Sequence, residues 1–368
     1  MKKRILFFLA DLGGGGAEKV LVNLVNNLNS DKYEITVKTI FGKGLNAKFL
    51  KSHIKYKPIF PFAPFHGYSH ILKWFSPKTL YYLFIQEQYD IEIAFMHHVP
   101  TRVIAGSISS AVKFAWVHTQ HVSSKIYRDN NELVSCYKRF NGVAFVSDIS
   151  REAFYSDYRI KLSHGETVHN VVNSEEIKQM ATQPIGYLDK TKINLCSVGR
   201  LSEVKGYSRL LKILAKLKND GIDNWHFYLL GSGNELSNLK AVTESNHITK
   251  NVTFLGFDEN PHKYVRNMDL FICSSFKEGY STAVTESIIV GTPILTTDCA
   301  GMNEILGESG SGIIVENSDE ALYRGLKNIL IHPESIKVMS EKAKERSAHF
   351  STENLIREFE AFIGTLDA

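Results

Sequence analysis

Ile193-Asn-Leu-Cys-Ser-Val198, followed by Gly199-Arg200-Leu201-Ser202-Glu203-Val204-Lys205-Gly206, reads as a buried strand running into a glycine-bounded cationic loop. From 208 to 218 apolar residues recur at helical spacing, so the loop leads into a helix. Strand, loop and helix in that order open a parallel α/β sheet, and such sheets bind ligands outside the carboxyl ends of their strands. Gly199, Arg200 and Lys205 fall at that end. Two cations five residues apart on one loop can clamp a diphosphate. Each charge-assisted hydrogen bond would contribute roughly 1.5–3 kcal/mol.

The same alternation extends in both directions. Further strands are expected at 225–230, 252–255, 270–273 and 293–296, with helices at 237–243, 281–290 and 318–330. Nearer the N-terminus, strands are expected at 4–10, 33–41, 90–95, 113–117 and 142–146, with a helix at 17–28. Two series imply two doubly wound Rossmann-like α/β domains. Gln183-Pro-Ile-Gly186 and Asp189-Lys-Thr-Lys192 are polar and turn-rich, which marks a boundary. The expected division is 1–172, a linker at 173–190, a second domain at 191–345, and a helix at 346–368 packing back on the first domain.

The length of 368 residues suits two domains, and 43% hydrophobic with 22% charged residues excludes a disordered or fibrous chain. Cys136, Cys196, Cys273 and Cys299 are widely spaced with no C-x-x-C, which argues against a disulfide scaffold or structural zinc. A cytoplasmic location is the expectation. Met1-Lys-Lys-Arg4 is followed by too short an apolar run for a signal peptide and reads better as a first strand. Residues 1–180 carry 23 Lys and Arg against 15 Asp and Glu, whereas the remainder carries 20 against 24, so the first half should meet something anionic. Between 35 and 86 there are eight lysines, twelve aromatics and no acid. That mixture, including Lys55, Lys57, Trp74, Phe75 and Lys78, is the composition of an interfacial membrane surface. The plainer alternative is core aromatics with solvated lysines. Nucleic acid is disfavoured because the stretch has no arginine.

Three further motifs lie at strand ends. Leu12-Gly13-Gly14-Gly15-Gly16-Ala17-Glu18 opens the first helix, where backbone can approach an anion closely. It is a poor dinucleotide fingerprint, since the third glycine comes too early. Gly231-Ser-Gly233 suits a phosphate or sugar, and Gly256 ends a strand that could edge a flat base. Most specific is Ser274-Ser-Phe-Lys-Glu278-Gly279-Tyr280-Ser281-Thr282-Ala-Val-Thr-Glu286. Its first glutamate lies in a loop, its second inside a helix, and the helix-start amides between them are donors without helical partners. Carboxylates accept well from sugar hydroxyls, so Glu286 suits a ribose and Glu278 a hexose. Gly291-Thr-Pro293 and Asp298-Cys-Ala-Gly301-Met-Asn-Glu304 complete the next unit.

Taken together, the early G-G-A-E, the V-G-R-L…K-G loop and E-G-[FY]-x(5)-E followed by G-x-P resemble the retaining GT-B glycosyltransferases of family 4, over nearly the full length. The resemblance implies two Rossmann-like domains facing across a cleft. It implies that Arg200 and Lys205 bind the donor diphosphate, Glu286 the ribose and Glu278 the transferred sugar. It also places Gly15 and Gly16 near the diphosphate and acceptor, and His118 of Ala115-Trp-Val-His-Thr119 at the donor sugar. His97 and His98 end another strand and are acceptor-side candidates. Gly199, Gly231, Gly256, Gly279, Tyr280, Ser281 and Thr282 are assigned to donor binding. One departure is Asn170-Val-Val-Asn173, where many relatives read N-G-[VI]-D.

The activity so implied is transfer of a sugar from a nucleotide diphosphate sugar, with a UDP-sugar the first expectation, to an acceptor hydroxyl with retention. No cofactor is expected beyond the donor substrate, and no metal: there is no D-x-D, and two cations already serve the diphosphate. The acceptor is expected to be a glycan or glycolipid, such as a lipid-linked oligosaccharide in surface polysaccharide synthesis. The protein is then expected at an anionic membrane, peripheral on its inner face. Competing readings are a transferase with a soluble acceptor, a non-catalytic nucleotide-sugar-binding subunit, and an NAD-dependent oxidoreductase. The last lacks its glycine fingerprint and leaves Arg200, Lys205, Glu278 and Glu286 without a role.

Overall fold

The structure is a computed structural model that describes residues 2–13, 15–186 and 188–365. The chain divides into two units, Met1–Val172 with Thr352–Ala368, and Asn173–Ser351. The first is built on strands β1 (Lys3–Leu9), β2 (Tyr33–Phe41), β3 (Lys55–Phe60), β4 (Ile91–Ala94), β5 (Val112–Val117), β6 (Gly142–Phe145) and β7 (Gly165–Thr167). They lie in the order β3-β2-β1-β4-β5-β6-β7, every neighbouring pair parallel. The second unit carries β8 (Ile193–Val198), β9 (Trp225–Leu230), β10 (Val252–Gly256), β11 (Leu270–Cys273), β12 (Ile294–Thr297) and β13 (Gly312–Val315). These are parallel in the order β10-β9-β8-β11-β12-β13. Two Rossmann-like parallel sheets are what the alternation of strand and helix signals implied.

Side-chain alternation along each strand loads both faces of the first sheet. From β1, Phe8 packs on Phe84 of the helix Pro77–Phe84, with ring centroids 6.4 Å apart. Phe7 points the other way, onto Phe359 of the helix Thr352–Gly364, 6.1 Å away. Trp116 of β5 stacks on the same Phe359 at 5.8 Å, and Phe114 meets Phe362 at 5.0 Å. Thr352 Oγ1 donates to Val172 O, and Glu358 takes the His169 N–H at 2.7 Å. The helix 352–364 therefore supplies one covering layer of the first sheet. In the second unit, Leu210, Leu214 and Leu217 of the helix Tyr207–Asn219 pack with Leu195, Phe227 and Leu229 in the core.

Two expectations need correction. Residues 173–190 are not simply a linker: Ser174–Met180 is a helix of the second unit. Asn173 caps it, its side-chain oxygen accepting from Glu176 N at 3.3 Å. Asparagine thus does at position 173 the capping that aspartate can do. Strands β3, β7 and β13 also go beyond those read from the sequence. No helix of the described residues is long and apolar enough to cross a membrane.

Candidate active site

Both sheets reverse their winding direction at one place, between β1 and β4 in the first and between β8 and β11 in the second. A crevice opens at the carboxyl ends of the strands on either side of such a switch point. In the second unit the flanking loops are 199–206 after β8 and 274–281 after β11, which carry the cationic loop and the glutamate motif.

Those two loops are bonded to each other. Lys205, ending a short turn over Glu203–Lys205, places Nζ 2.7 Å from Glu278 Oε1. The same carboxylate oxygen accepts from Ser275 Oγ at 2.6 Å. Ser274 Oγ donates to Lys205 O at 3.0 Å, and Phe276 N to Val204 O at 2.8 Å. Arg200 is exposed, and among the described residues its guanidinium makes no ion pair. Glu286 lies on the helix Thr282–Ile289, nearly buried, with Oε2 3.8 Å from His262 Nδ1. Ser281 caps that helix, its Oγ accepting from Val284 N, so Gly279, Tyr280, Ser281 and Thr282 form the helix entrance.

The neighbouring glycine loops are interlocked. Gly231 follows β9 at φ 135°, and a Cβ there would sit 1.9 Å from Gly199 O. Its N–H donates to Gly256 O at 2.7 Å. Leu201 N donates to Ser232 O at 2.9 Å. The loop after β9 is thus wedged between the Arg200 loop and the end of β10 by backbone alone. Gly199, Gly231 and Gly256 are brought together as the sequence reading grouped them.

Sequence reasoning missed Arg209. It is 6% exposed and follows Gly206 on the helix Tyr207–Asn219. Its Nε donates to Ser274 O at 2.9 Å, and its Nη2 to Ser274 O, Ser275 O and Asn317 Oδ1 at 2.6, 2.9 and 2.9 Å. The guanidinium lies 3.9 Å from the Phe276 ring centroid. Burial pulls its pKa below the usual arginine range, with Asp319 opposing. Thr297 Oγ1 adds a bond to Ser275 O at 2.7 Å. A signal was present: Arg209 occupies the same helical row as Ile213 and Leu217, which are buried. His262 had no such signal.

In the first unit the switch-point loops carry Gly15 and the two histidines after β4. Gly15 precedes the helix Gly16–Asn27, which Gly16 opens. Gly14, part of the expected glycine motif, lies outside the described residues. His98 adopts φ 78° and ψ −123°, a region L side chains rarely enter, and its ring centroid is 4.1 Å from that of His97. His118, directly after β5, packs against Phe95 and Trp116 with centroids at 4.8 and 5.6 Å. Burial pushes the His98 and His118 imidazoles down to about 4, and carries His97 well below its ordinary value. All three are therefore neutral at pH 7 and able to donate from one nitrogen and accept at the other.

The lysine- and aromatic-rich stretch divides into two parts. Lys55 and Lys57 sit on the edge strand β3 and pair with Glu34 at 2.8 Å and Glu87 at 2.7 Å. Their expected role as open anion-binding charges is corrected, because carboxylates on either side of the acid-free run reach them. Trp74 is 85% exposed; Phe75, Tyr82, Ile71 and Lys78 are also exposed. Arg102, fully buried, fixes the segment carrying Trp74. It donates to Leu72 O at 3.0 Å and Phe75 O at 2.8 Å, and pairs with Glu132 at 2.9 Å. An exposed tryptophan is thus mounted on a buried polar anchor.

Paired Rossmann-like units, with cations and carboxylates gathered at a switch point, define a nucleotide-binding α/β enzyme. Residues 181–346 match the family model "Glycosyl transferases group 1". Over 378 aligned positions the chain is 26% identical to the N-acetylgalactosamine-N,N'-diacetylbacillosaminyl-diphospho-undecaprenol 4-alpha-N-acetylgalactosaminyltransferase of Campylobacter jejuni, covering 97% of this chain and 98% of that one. Among solved structures, Anabaena Alr3699/HepE in complex with UDP superposes with a TM-score of 0.74 at 16% identity, covering 99% of this chain and 100% of that one. Sucrose-phosphate synthase from Thermosynechococcus elongatus gives 0.77 at 15% identity, covering 100% and 99%. The chain is a glycosyltransferase of GT-B fold, and its second unit carries the group 1 match.

Proposed function

We propose that this glycosyltransferase moves a sugar from a UDP-sugar, with retention, to a glycan carried on a polyprenyl diphosphate lipid at an anionic membrane face. The observation that carries the reading is the Lys205–Glu278 pair at the second switch point, with Arg200 exposed on the same loop. Arg200 and Lys205 neutralise charge on the departing diphosphate. Glu278 takes the hydroxyls of the transferred sugar and Glu286 those of the ribose. In the first unit, Gly15, Gly16 and His118 lie at strand ends suited to a sugar or phosphate, and His97 and His98 at one suited to the acceptor. The acceptor oxygen bonds to the anomeric carbon on the face from which the diphosphate leaves. The acceptor proton passes to the departing phosphate oxygen. With two cations supplying the charge, the step needs no metal.

The lipid-linked acceptor is supported by the name of the Campylobacter relative, and the UDP donor by the UDP complex of the Anabaena neighbour. Peripheral attachment to a membrane is supported by exposed Trp74, Phe75 and Lys78, the combination that favours an anionic interface. The test is a thermal-shift panel of UDP, GDP, ADP and their sugars with and without EDTA, then transfer to a polyprenyl-diphosphate glycan in anionic vesicles. Stabilisation by the UDP series alone, unchanged by EDTA, with an α-linked product from an α-linked donor, is the expected result. Stabilisation by another base, loss of turnover with EDTA, or an inverted product would each remove the corresponding part.

A further inference from the structure

We propose that Arg209 is a positioning residue for the transfer step: it locks the Ser274–Phe276 turn so that Glu278 keeps one geometry toward the donor sugar. The inference rests on the reading of Glu278 as the donor-sugar contact.

Arg209 is an expensive choice for its place. On the row it shares with Ile213 and Leu217, an apolar side chain would pack without desolvating a charge. Its nearest carboxylate, Asp319, is 3.8 Å away and largely exposed, so no close ion pair compensates the burial. The guanidinium donors go instead to the carbonyls of Ser274 and Ser275 and to Asn317 Oδ1. Asn317 returns to the same turn from the other side, donating from Nδ2 to Phe276 O at 3.0 Å. Every residue of that turn is thereby bracketed. Ser275 is the residue whose Oγ holds Glu278, and Ser274 the one whose Oγ holds the Lys205 carbonyl. A planar fork can fix adjacent carbonyls in one orientation; a lysine ammonium, a point charge on a flexible stem, cannot. Freeing the turn would let Glu278 shift while Glu286 and the glycine loops remain in place.

The experiment compares Arg209→Lys, Glu278→Gln and the double variant. It measures melting temperature, UDP affinity by calorimetry, and UDP release from UDP-N-acetylgalactosamine and UDP-glucose. Arg209→Lys should lower kcat by about 100-fold, the cost of roughly 1 Å of misplacement, with UDP affinity unchanged. In the Glu278→Gln background the same change should add no further loss, since groups acting as one unit are non-additive. Losses that multiply, or UDP affinity falling along with kcat, would overturn the proposal. Full turnover by Glu278→Gln would instead remove the reading of Glu278, and with it the route through which Arg209 acts. Should Arg209→Lys not fold, Asn317→Ala takes its place. It removes one anchor and should show the same fall in kcat at constant UDP affinity; wild-type turnover there overturns the inference.

Discussion

Replacing Gly231 by alanine tests whether the interlocked glycine loops set the geometry of the cationic loop. The added Cβ would stand 1.9 Å from Gly199 O, where real Cβ atoms do not come within 3.0 Å. The loop bearing Arg200 must therefore move by about 1 Å or more, since a close-packed interior offers no slack. It cannot relax the other way, because Gly231 N is bonded to Gly256 O at 2.7 Å on the opposite side. The positive φ adds about 1–2 kcal/mol of strain for an L-residue. Together the expected destabilisation is about 2–4 kcal/mol, or a fall of roughly 5–15 °C in the melting temperature of a unit this size. A shift of that size in a clamping side chain should lower turnover by about 100-fold. Differential scanning calorimetry and UDP release measure the two effects. Gly186→Ala is the control, since its Cβ would meet nothing within 4 Å. Gly231→Ala with the melting temperature and turnover of that control would refute the reasoning.

Glu286→Ala should weaken UDP binding by about 10–100-fold, the worth of hydrogen bonds to a charged group, and an unchanged dissociation constant would remove the ribose role. Arg102→Met leaves Glu132 with its Arg128 N–H bond but without its buried cation, so about 3–5 kcal/mol should be lost in urea unfolding; a loss under about 1 kcal/mol would mean that water replaces the guanidinium. Trp74→Ser combined with Lys78→Glu should abolish sedimentation with anionic vesicles, and retained binding would put the membrane contact elsewhere. His118, held down to about 4 in the fold against an ordinary 6.5, binds its proton more weakly in the folded than in the unfolded chain. Stability should therefore fall as pH drops from 6.5 to 4, by up to about 1.4 kcal/mol per pH unit for this group, and be constant above that window. His118→Gln should flatten that slope in melting curves at pH 5 and 7; an identical slope would show that the imidazole titrates normally.

Strands 33–41, 193–198, 225–230 and 270–273 were legible to the residue because buried parallel strands read as apolar runs. β3 was not, since Lys55, Lys57 and Pro58 make an edge strand look like a loop. β7 has only three residues, and the helix 174–180 buries little beyond Ser174 and Ile177, too few to mark a face. The loops carrying Arg200, Lys205 and Glu278 were legible because a strand end followed by a helix fixes where a loop lies. Arg209 was hidden because its meaning lies in partners 65 residues or more along the chain. Lys55 and Lys57 misled for the related reason that composition counts charges within a window, whereas Glu34 and Glu87 lie just beyond it.

The helix 352–364 is made on the ribosome only after the whole of the second unit. Until then Phe7, Phe114 and Trp116 have no Phe359 or Phe362 to cover them. The second unit is continuous in sequence and can close as soon as it emerges. The first, though synthesised earlier, must wait with part of one face of its sheet uncovered. A nascent chain in that interval is a natural client for chaperones and a target for proteases. Truncation before residue 359 should be read out as aggregation of the N-terminal unit rather than as a clean loss of catalysis.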